Sequence, residues 1–458
     1  MRIFTLLLLL TVTLTATAAE RPNIVLVMLD DLAWSDVVPA AKKPIDTPNL
    51  DRFRAQGTDF PNAYAAAPVC SPSRAAIATG QSPGRLRLTN HITVPDITPP
   101  AGAKLLPGET LDRLPHEKLT VAELLHKAGY RTSFIGKWHL CGDRRGDPDF
   151  FPDKHGFETN LGGCGYGGPP SYFAPFRLPN LPPREGKEKE YLPDRLADEA
   201  IAFIEQDHQG KPFALFLWNY TVHWPLAAHQ EVIAKYEKRK GLRNATYAAM
   251  VECADTAFGR VIAKIDELQL GENTLIVFTS DNGGFAGVTN NAPLRGAKGD
   301  LYEGGIRVPF LVRWTGKIAP GKTNELPVVG TDLYPTFLAA AGVPTPANQK
   351  LDGVNLMPVF LQKPGAKLDL TPFEERAICW HYPNYAWHRG NRLGGAIRLG
   401  NWKLIERFDN GSVELFDLSA DRGEKKNLAQ EKPEVAKRLL ERLQAWQREA
   451  NVAMPRER

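Results

Sequence analysis

The sequence predicts an α/β fold in three layers, a parallel-type sheet with helices on both faces, followed by a smaller C-terminal α+β unit. Three observations predict it. Apolar runs of strand length stop abruptly at polar residues, stretches of helical periodicity lie between them, and after about residue 364 the pattern changes to short strands joined by tight turns. Strands alternating with helices imply a layered sheet, and a run that is apolar throughout implies burial on both faces.

Residues 1–19 read as a signal peptide. Arg2 supplies a positive start, residues 4–14 are apolar, and Ala16-Thr17-Ala18 resembles a cleavage site. The apolar stretch is too short to span a bilayer, and no later segment is long and apolar enough. An exported protein, periplasmic or secreted and without a stable membrane anchor, is expected.

Residues 23–29 form the first strand, which ends in Asp30-Asp31. Residues 120–127 read as a helix and 132–135 as a strand. Pro-rich residues 169–193 read as a long surface excursion near the site. Strands follow at 213–220, 274–279 and 310–312, with a long helix at 245–268. Short strands at 378–381, 395–399, 402–405 and 413–416, with turns at Gly400-Asn401 and Asn410-Gly411, precede an amphipathic helix at 433–448 that starts with Pro. Residues 20–364 are therefore expected to form the large domain and 365–458 the C-terminal subdomain. In open α/β sheets ligands bind beyond the carboxyl ends of the strands, which is where the acids and amides of this chain sit.

The chain has 458 residues, is 43% hydrophobic and carries a formal net charge of +4. That charge is too small for the basic patch that nucleic-acid binding requires. Five cysteines are too few for a disulfide scaffold, and none forms a C-x-x-C pair that would suggest zinc. The odd number leaves at least one thiol outside any internal disulfide.

Cys70-Ser71-Pro72-Ser73-Arg74 runs into residues 75–80, which continue as a helix. Pro72 fits an early helical position, so residue 70 falls at a helix N-terminus, a place that favours anions. Asp30, Asp31, Asp281 and Asn282 offer hard oxygen ligands from two strand ends, a set suited to calcium or magnesium. Lys137 and His139 alternate around Trp138, so on a strand both would face one side. His223 precedes Trp224-Pro225, and Lys298 lies in a Gly-rich stretch, residues 296–305.

In their order these motifs resemble the type I, formylglycine-dependent sulfatases of the alkaline-phosphatase-like superfamily. The resemblance runs from Arg21 to about Leu428 and includes Gly136-Lys137-Trp138-His139, Ser280-Asp281-Asn282-Gly283, Asp332-Leu333-Tyr334-Pro335-Thr336, Trp402-Lys403-Leu404 and Glu414-Leu415-Phe416-Asp417-Leu418. It implies an alkaline-phosphatase-like large domain. It also implies that a formylglycine-generating enzyme converts Cys70 to an aldehyde, and that Asp30, Asp31, Asp281 and Asn282 hold one calcium ion whose shell residue 70 completes. The hydrated aldehyde would attack sulfur through one hydroxyl and expel sulfate through the other, splitting one hard step into two. On this resemblance Asp281 helps deprotonate the attacking hydroxyl, Arg74 and Lys137 hold the hydrated aldehyde, His139 takes the proton of the second hydroxyl, and His223 and Lys298 flank the bridging oxygen. Cys141 stands where the family usually has Gly, and could crowd that turn or pair with Cys164.

The expected substrate is a sulfate ester, on a sulfated glycan of the galactose or N-acetylgalactosamine type. Lys137, His223, Lys298, Arg295 and His381 are the expected substrate contacts. His91, Trp224, His229, Tyr382, Tyr385, His388 and Arg389 are further candidates for the outer pocket. A phosphodiesterase or phosphonate hydrolase of the same superfamily is the alternative, but the additional Asp/His ligands of two-metal phosphatases are missing. An inactive sugar-binding module would be expected to have lost Cys70 or a metal carboxylate, and none is lost.

Overall fold

Residues 21–39, 43–92, 99–142, 145–362, 367–386 and 393–458 are described in the computed structural model. The leader at 1–19, the boundary at 364/365, His388 and Arg389 lie outside the described residues.

Asn23–Leu29 lies inside an eight-stranded sheet, parallel to Phe213–Trp218 on one side and to Thr274–Ser280 on the other. Arg131–Gly136 and then Thr159–Leu161 extend the first side in parallel. On the other side Phe310–Arg313 runs antiparallel, and the two-residue strands Thr58–Asp59 and Lys322–Thr323 finish the edge. The sheet is therefore mixed. The strand expected at 213–220 stops at Trp218, and the following residues turn toward the site.

Strand side chains alternate between faces, and Asn23–Leu29 uses both. Val25, Val27 and Leu29 pack with Leu196 and Phe258, from the helices Leu192–Ile204 and Ala245–Glu267. Ile24, Leu26 and Met28 pack on the opposite layer with Leu125 and Phe337, from Val121–Lys127 and Leu333–Ala340. Each such side chain, fully buried, contributes about 1.5–3 kcal/mol of transfer free energy, which is why this strand is apolar along its whole length. Thr120 and Glu123 form a reciprocal capping box that sets the start of Val121–Lys127.

Four antiparallel strands, Ala377–Tyr382, Gly394–Leu399, Trp402–Arg407 and Val413–Asp417, make the C-terminal sheet in that order. Ile397, Leu404 and Leu415 take Leu439 and Leu443 of the closing helix Pro433–Glu449 on one face. Trp380, Ala396, Ile405 and Phe416 on the other face pack against Val69, Ala76 and Ile306 of the large domain. The start of the Cys70–Thr79 helix is thus backed by the C-terminal sheet.

The Pro-rich excursion is more than surface. Its Tyr172, Phe176 and Leu181 are buried in the core beneath the sheet. None of the five cysteines is in a disulfide, so the alternative pairing of Cys141 with Cys164 is not adopted. No helix of the described residues is long and apolar enough to cross a membrane.

Candidate active site

Strand ends and one helix start converge on a single buried cluster. Asp30 and Asp31 follow Asn23–Leu29, and Asp281 and Asn282 follow the neighbouring Thr274–Ser280. Backbone bonds hold the ends together: Asp281 N–H donates to Leu29 O at 3.2 Å, Asp30 N–H to Thr221 O at 2.8 Å, and Val222 N–H to Asp30 O at 2.7 Å. Asp31 turns the chain with φ 60°, and its N–H donates to Asp281 Oδ1 at 3.2 Å. Cys70 is the first residue of the Cys70–Thr79 helix, so the helix N-terminus opens on the same space.

Cations interleave with the acids. Lys137 Nζ donates to Asp30 Oδ2 at 2.5 Å. Arg74 lies 2.7 Å from Asp281 and 3.8 Å from Asp30, and donates to Lys137 O at 2.5 Å. Lys298 Nζ reaches Asp31 Oδ1 at 2.8 Å and Cys70 Sγ at 3.3 Å, while Cys70 Sγ lies 3.5 Å from Asp30 Oδ1. Asp30, Asp31, Cys70 and His223 bring potential ligand atoms within 4.8 Å of one another.

The donors fit a hard divalent cation. Asn282 spends its amide N–H groups on Asp31 Oδ1 and Gly283 O, and its Oδ1 is buried without a hydrogen-bond partner. A buried polar atom left unpaired is costly, and an amide oxygen is an ordinary calcium ligand. Burial and the charge of Asp281 push the Asp30 carboxyl up to about 8, despite Lys137. Such a carboxylate needs added positive charge to ionise fully at neutral pH. Burial would raise Asp31 too, but the Lys298 and Lys137 ammonium groups outweigh it and hold that carboxyl below its usual range.

Burial and Asp30 push the Cys70 thiol up to about 12. A thiol kept protonated at neutral pH is a poor nucleophile. His223 approaches Asp31 with Nε2 at 3.8 Å, and its Nδ1 lies 2.8 Å from Trp224 O. A carbonyl only accepts, so Nδ1 carries the hydrogen. Burial, Lys298 and Lys137 hold the ring neutral, which leaves the lone pair on Nε2. An anion bound beside it would raise its proton affinity.

Lys137 and His139 do not share the face of a strand. Arg131–Gly136 ends before them, Gly136 has φ 110°, and His139 has φ 60°. Lys137 turns to Asp30, whereas His139 Nε2 donates to Ile92 O at 2.6 Å and Nδ1 is buried without a partner. A Cβ on Gly136 would lie 2.0 Å from Trp218 O. The substitution Gly136→Ala is expected to cost well over 1 kcal/mol, roughly, because it combines positive φ with that clash. A thermal midpoint equal to that of the parent protein would count against this reading.

Two expected substrate contacts are engaged elsewhere. Arg295 lies 3.3 Å from Glu414, donates to Glu424 O at 3.1 Å, and stacks over the Tyr302 ring. His381 is buried, with Nε2 3.0 Å from Ala453 O. The His381 side chain is drawn into the C-terminal packing, whereas Arg295 stays exposed with its guanidinium held by C-terminal partners. His229 lies against Tyr191 and Asp194, Tyr382 is buried, and the Tyr385 hydroxyl donates to Leu105 O. His91 is beside His139, with ring centroids 6.3 Å apart, and Trp224 is 48% exposed next to His223. Sequence reasoning missed Tyr172, whose single hydroxyl hydrogen is shared between Tyr220 O at 2.6 Å and His223 O at 2.9 Å and so braces the His223 turn. Nothing in a Pro-rich stretch marks that tyrosine out.

The family profile described as Sulfatase matches residues 22–343, and that of the N-sulphoglucosamine sulphohydrolase C-terminal region matches residues 297–449. A sulfatase of Formosa agariphila is 29% identical, over 94% of this chain and 89% of that protein. Human N-acetylgalactosamine-6-sulfatase is 33% identical, over 75% of this chain and 67% of the human protein. The crystal structure of Ps i-CgsB superposes with a TM-score of 0.78 at 31% identity, covering 93% of both chains, and its complex with k-i-k-neocarrahexaose gives 0.77. The matched profile spans both strand ends, Cys70, Lys137, His223 and Lys298, so the chain belongs to the type I sulfatase family and is a sulfuric ester hydrolase.

Proposed function

We propose that this sulfatase is exported with residues 1–19 removed, carries residue 70 as formylglycine made by a formylglycine-generating enzyme, holds one calcium ion, and releases sulfate from a sulfated carbohydrate of the galactose or N-acetylgalactosamine type. The observation that carries this reading is the position of Cys70 Sγ, 3.5 Å from a ligand carboxylate and 3.3 Å from Lys298. A thiol held protonated there contributes little as a nucleophile. An oxygen-bearing group at the same position would face both the cation site and the ammonium.

Asp30, Asp31, Asp281 and Asn282 would hold calcium, with residue 70 completing the shell. The ion supplies charge neutralisation and polarisation of the sulfate group, and the hydrated aldehyde supplies the nucleophilic oxygen. The remaining work falls to the chain's own side chains. Arg74, locked on Asp281, and Lys137, locked on Asp30, present fixed positive charge to an oxyanion at residue 70. Asp281 can take the proton of the attacking hydroxyl. His139, whose Nδ1 lone pair has no other partner, is the base for the second hydroxyl. Lys298 stays cationic, since the Asp31 and Asp30 carboxylates outweigh burial, and steadies charge on the leaving oxygen. His223 presents Nε2 to the same oxygen and needs a proton gained on substrate binding before it can donate one.

The sugar assignment is supported by the relatives, one named for N-acetylgalactosamine 6-sulfate and one crystallised with a neocarrahexaose. Trp224, exposed beside His223, offers an apolar surface for a sugar face. Matured protein should be assayed for sulfate release against a panel of sulfated mono- and oligosaccharides. Turnover on galactose or N-acetylgalactosamine sulfates is expected. Release confined to glucosamine sulfates would overturn the sugar assignment, and faster cleavage of phosphodiesters would overturn the sulfatase assignment of the site.

A further inference from the structure

The stretch that delivers Lys298 is tied to the site at several points. Lys298 N–H donates to Gly284 O at 3.0 Å, Gly299 N–H to Pro68 O at 2.8 Å, and Gly283 N–H to Gly305 O at 2.9 Å. Residues 298–305 therefore rest on the backbone of both the Asp281-Asn282 turn and the segment leading into Cys70. The fit is close, since a Cβ on Gly283 would meet Gly304 O at 1.9 Å.

The far end of this stretch is gripped by the C-terminal domain. Glu303 is fully buried, and its N–H donates to Glu424 Oε2 at 2.6 Å. Lys403, fully buried on Trp402–Arg407, lies 2.8 Å from both Glu303 Oε1 and Glu424 Oε1. Alternation along that strand puts Lys403 on the same face as Ile405, which packs against the large domain. The second oxygen of Glu303 is met by Arg307 Nε at 2.6 Å and by the Tyr64 hydroxyl at 2.8 Å. A buried charge network of this kind contributes little net stability compared with apolar packing, and its best-attested use is to fix one arrangement.

We propose that Lys403 and Glu424 are positioning residues for catalysis: by holding Glu303 they fix residues 298–305 and so set Lys298 Nζ against residue 70 and Asp31. This rests on the assignment of Lys298 to the leaving oxygen. The C-terminal domain then contributes to the chemistry without touching the substrate. A misplaced Lys298 would stabilise the leaving oxygen less, and esters of poorly acidic alcohols depend on that help far more than esters of acidic phenols.

The test compares kcat/KM for a sugar sulfate with kcat/KM for 4-nitrophenyl sulfate in matured holoenzyme. Lys298→Ala is the reference. The double variant Lys403→Met/Glu424→Gln removes one buried charge of each sign, and Glu424→Gln alone is the milder second variant. In the double variant the sugar sulfate rate should fall on the order of 10²-fold and in Glu424→Gln by a smaller factor, in each case several times more than the aryl sulfate rate, with near-UV circular dichroism unchanged. Partial unfolding would lower both rates by the same factor, and equal losses in either variant overturn the proposal. A Lys298→Ala enzyme without leaving-group dependence would instead overturn the role of Lys298. A skewed ratio in that reference and an unskewed one in the network variants would reject the positioning role alone.

Discussion

Replacing Cys70 with alanine is expected to abolish sulfate release, by on the order of 10⁴-fold or more, while leaving the fold and the cation site in place. Cys70 contributes one small buried side chain at a helix start, and the helix is anchored beyond it by Ala75, Ala76 and Ile77 in the core. The four ligands Asp30, Asp31, Asp281 and Asn282 remain, so the variant should still bind calcium, with the lower affinity that loss of the residue 70 ligand brings. The complementary measurement is peptide mapping of fully active protein by mass spectrometry. An aldehyde at residue 70 is expected, and unmodified Cys70 at full activity would sink the mechanism.

Asp281 answers a different question, because it serves both the cation and Arg74. In Asp281→Ala the Arg74 guanidinium would be left in a fully buried site with only the more distant Asp30 as a counter-charge. Breaking a buried pair on one side costs about 3–5 kcal/mol, so lost activity there could reflect lost folding. Asp281→Asn keeps the shape and an acceptor for Arg74 and removes one negative charge from the ligand set. It should lose bound calcium and, with it, about 4 kcal/mol of transition-state stabilisation, or on the order of 10³-fold in rate. Calcium should raise the thermal midpoint of the parent protein, since it binds only the folded state, and should not raise that of the variant. Unchanged calcium content in Asp281→Asn would remove this residue from the ligand set.

The strands were legible in the sequence because they are buried on both faces, which makes them apolar throughout and makes their polar ends conspicuous. Asp30-Asp31 and Asp281-Asn282 stand out for that reason alone. The short edge strands Thr58–Asp59 and Lys322–Thr323 leave no such signal, because two residues have no periodicity. The parity of Lys137 and His139 failed at Gly136, where a positive φ ends the strand before either residue is reached. Arg295 and His381 have side chains suited to a sulfated sugar, but their partners, Glu414 and the Ala453 carbonyl, lie far along the chain. The network around Glu303 was hidden in the same way: a lysine in a short strand, a glutamate in a Gly-rich stretch and a glutamate after a turn meet only in three dimensions.

Asn23–Leu29 also imposes a timetable. It is made early, yet its neighbours are residues about 190 and 250 positions later. Until Phe213–Trp218 and Thr274–Ser280 emerge, this strand has no sheet to join, and an unpaired apolar strand invites aggregation. Cys70, only 2% exposed once the fold closes, lies in the same interval. Any enzyme that modifies its side chain must therefore reach it before the fold closes over it. Slowing that closure should raise the fraction of chains converted, whereas a faster-folding variant should leave more of them as thiol.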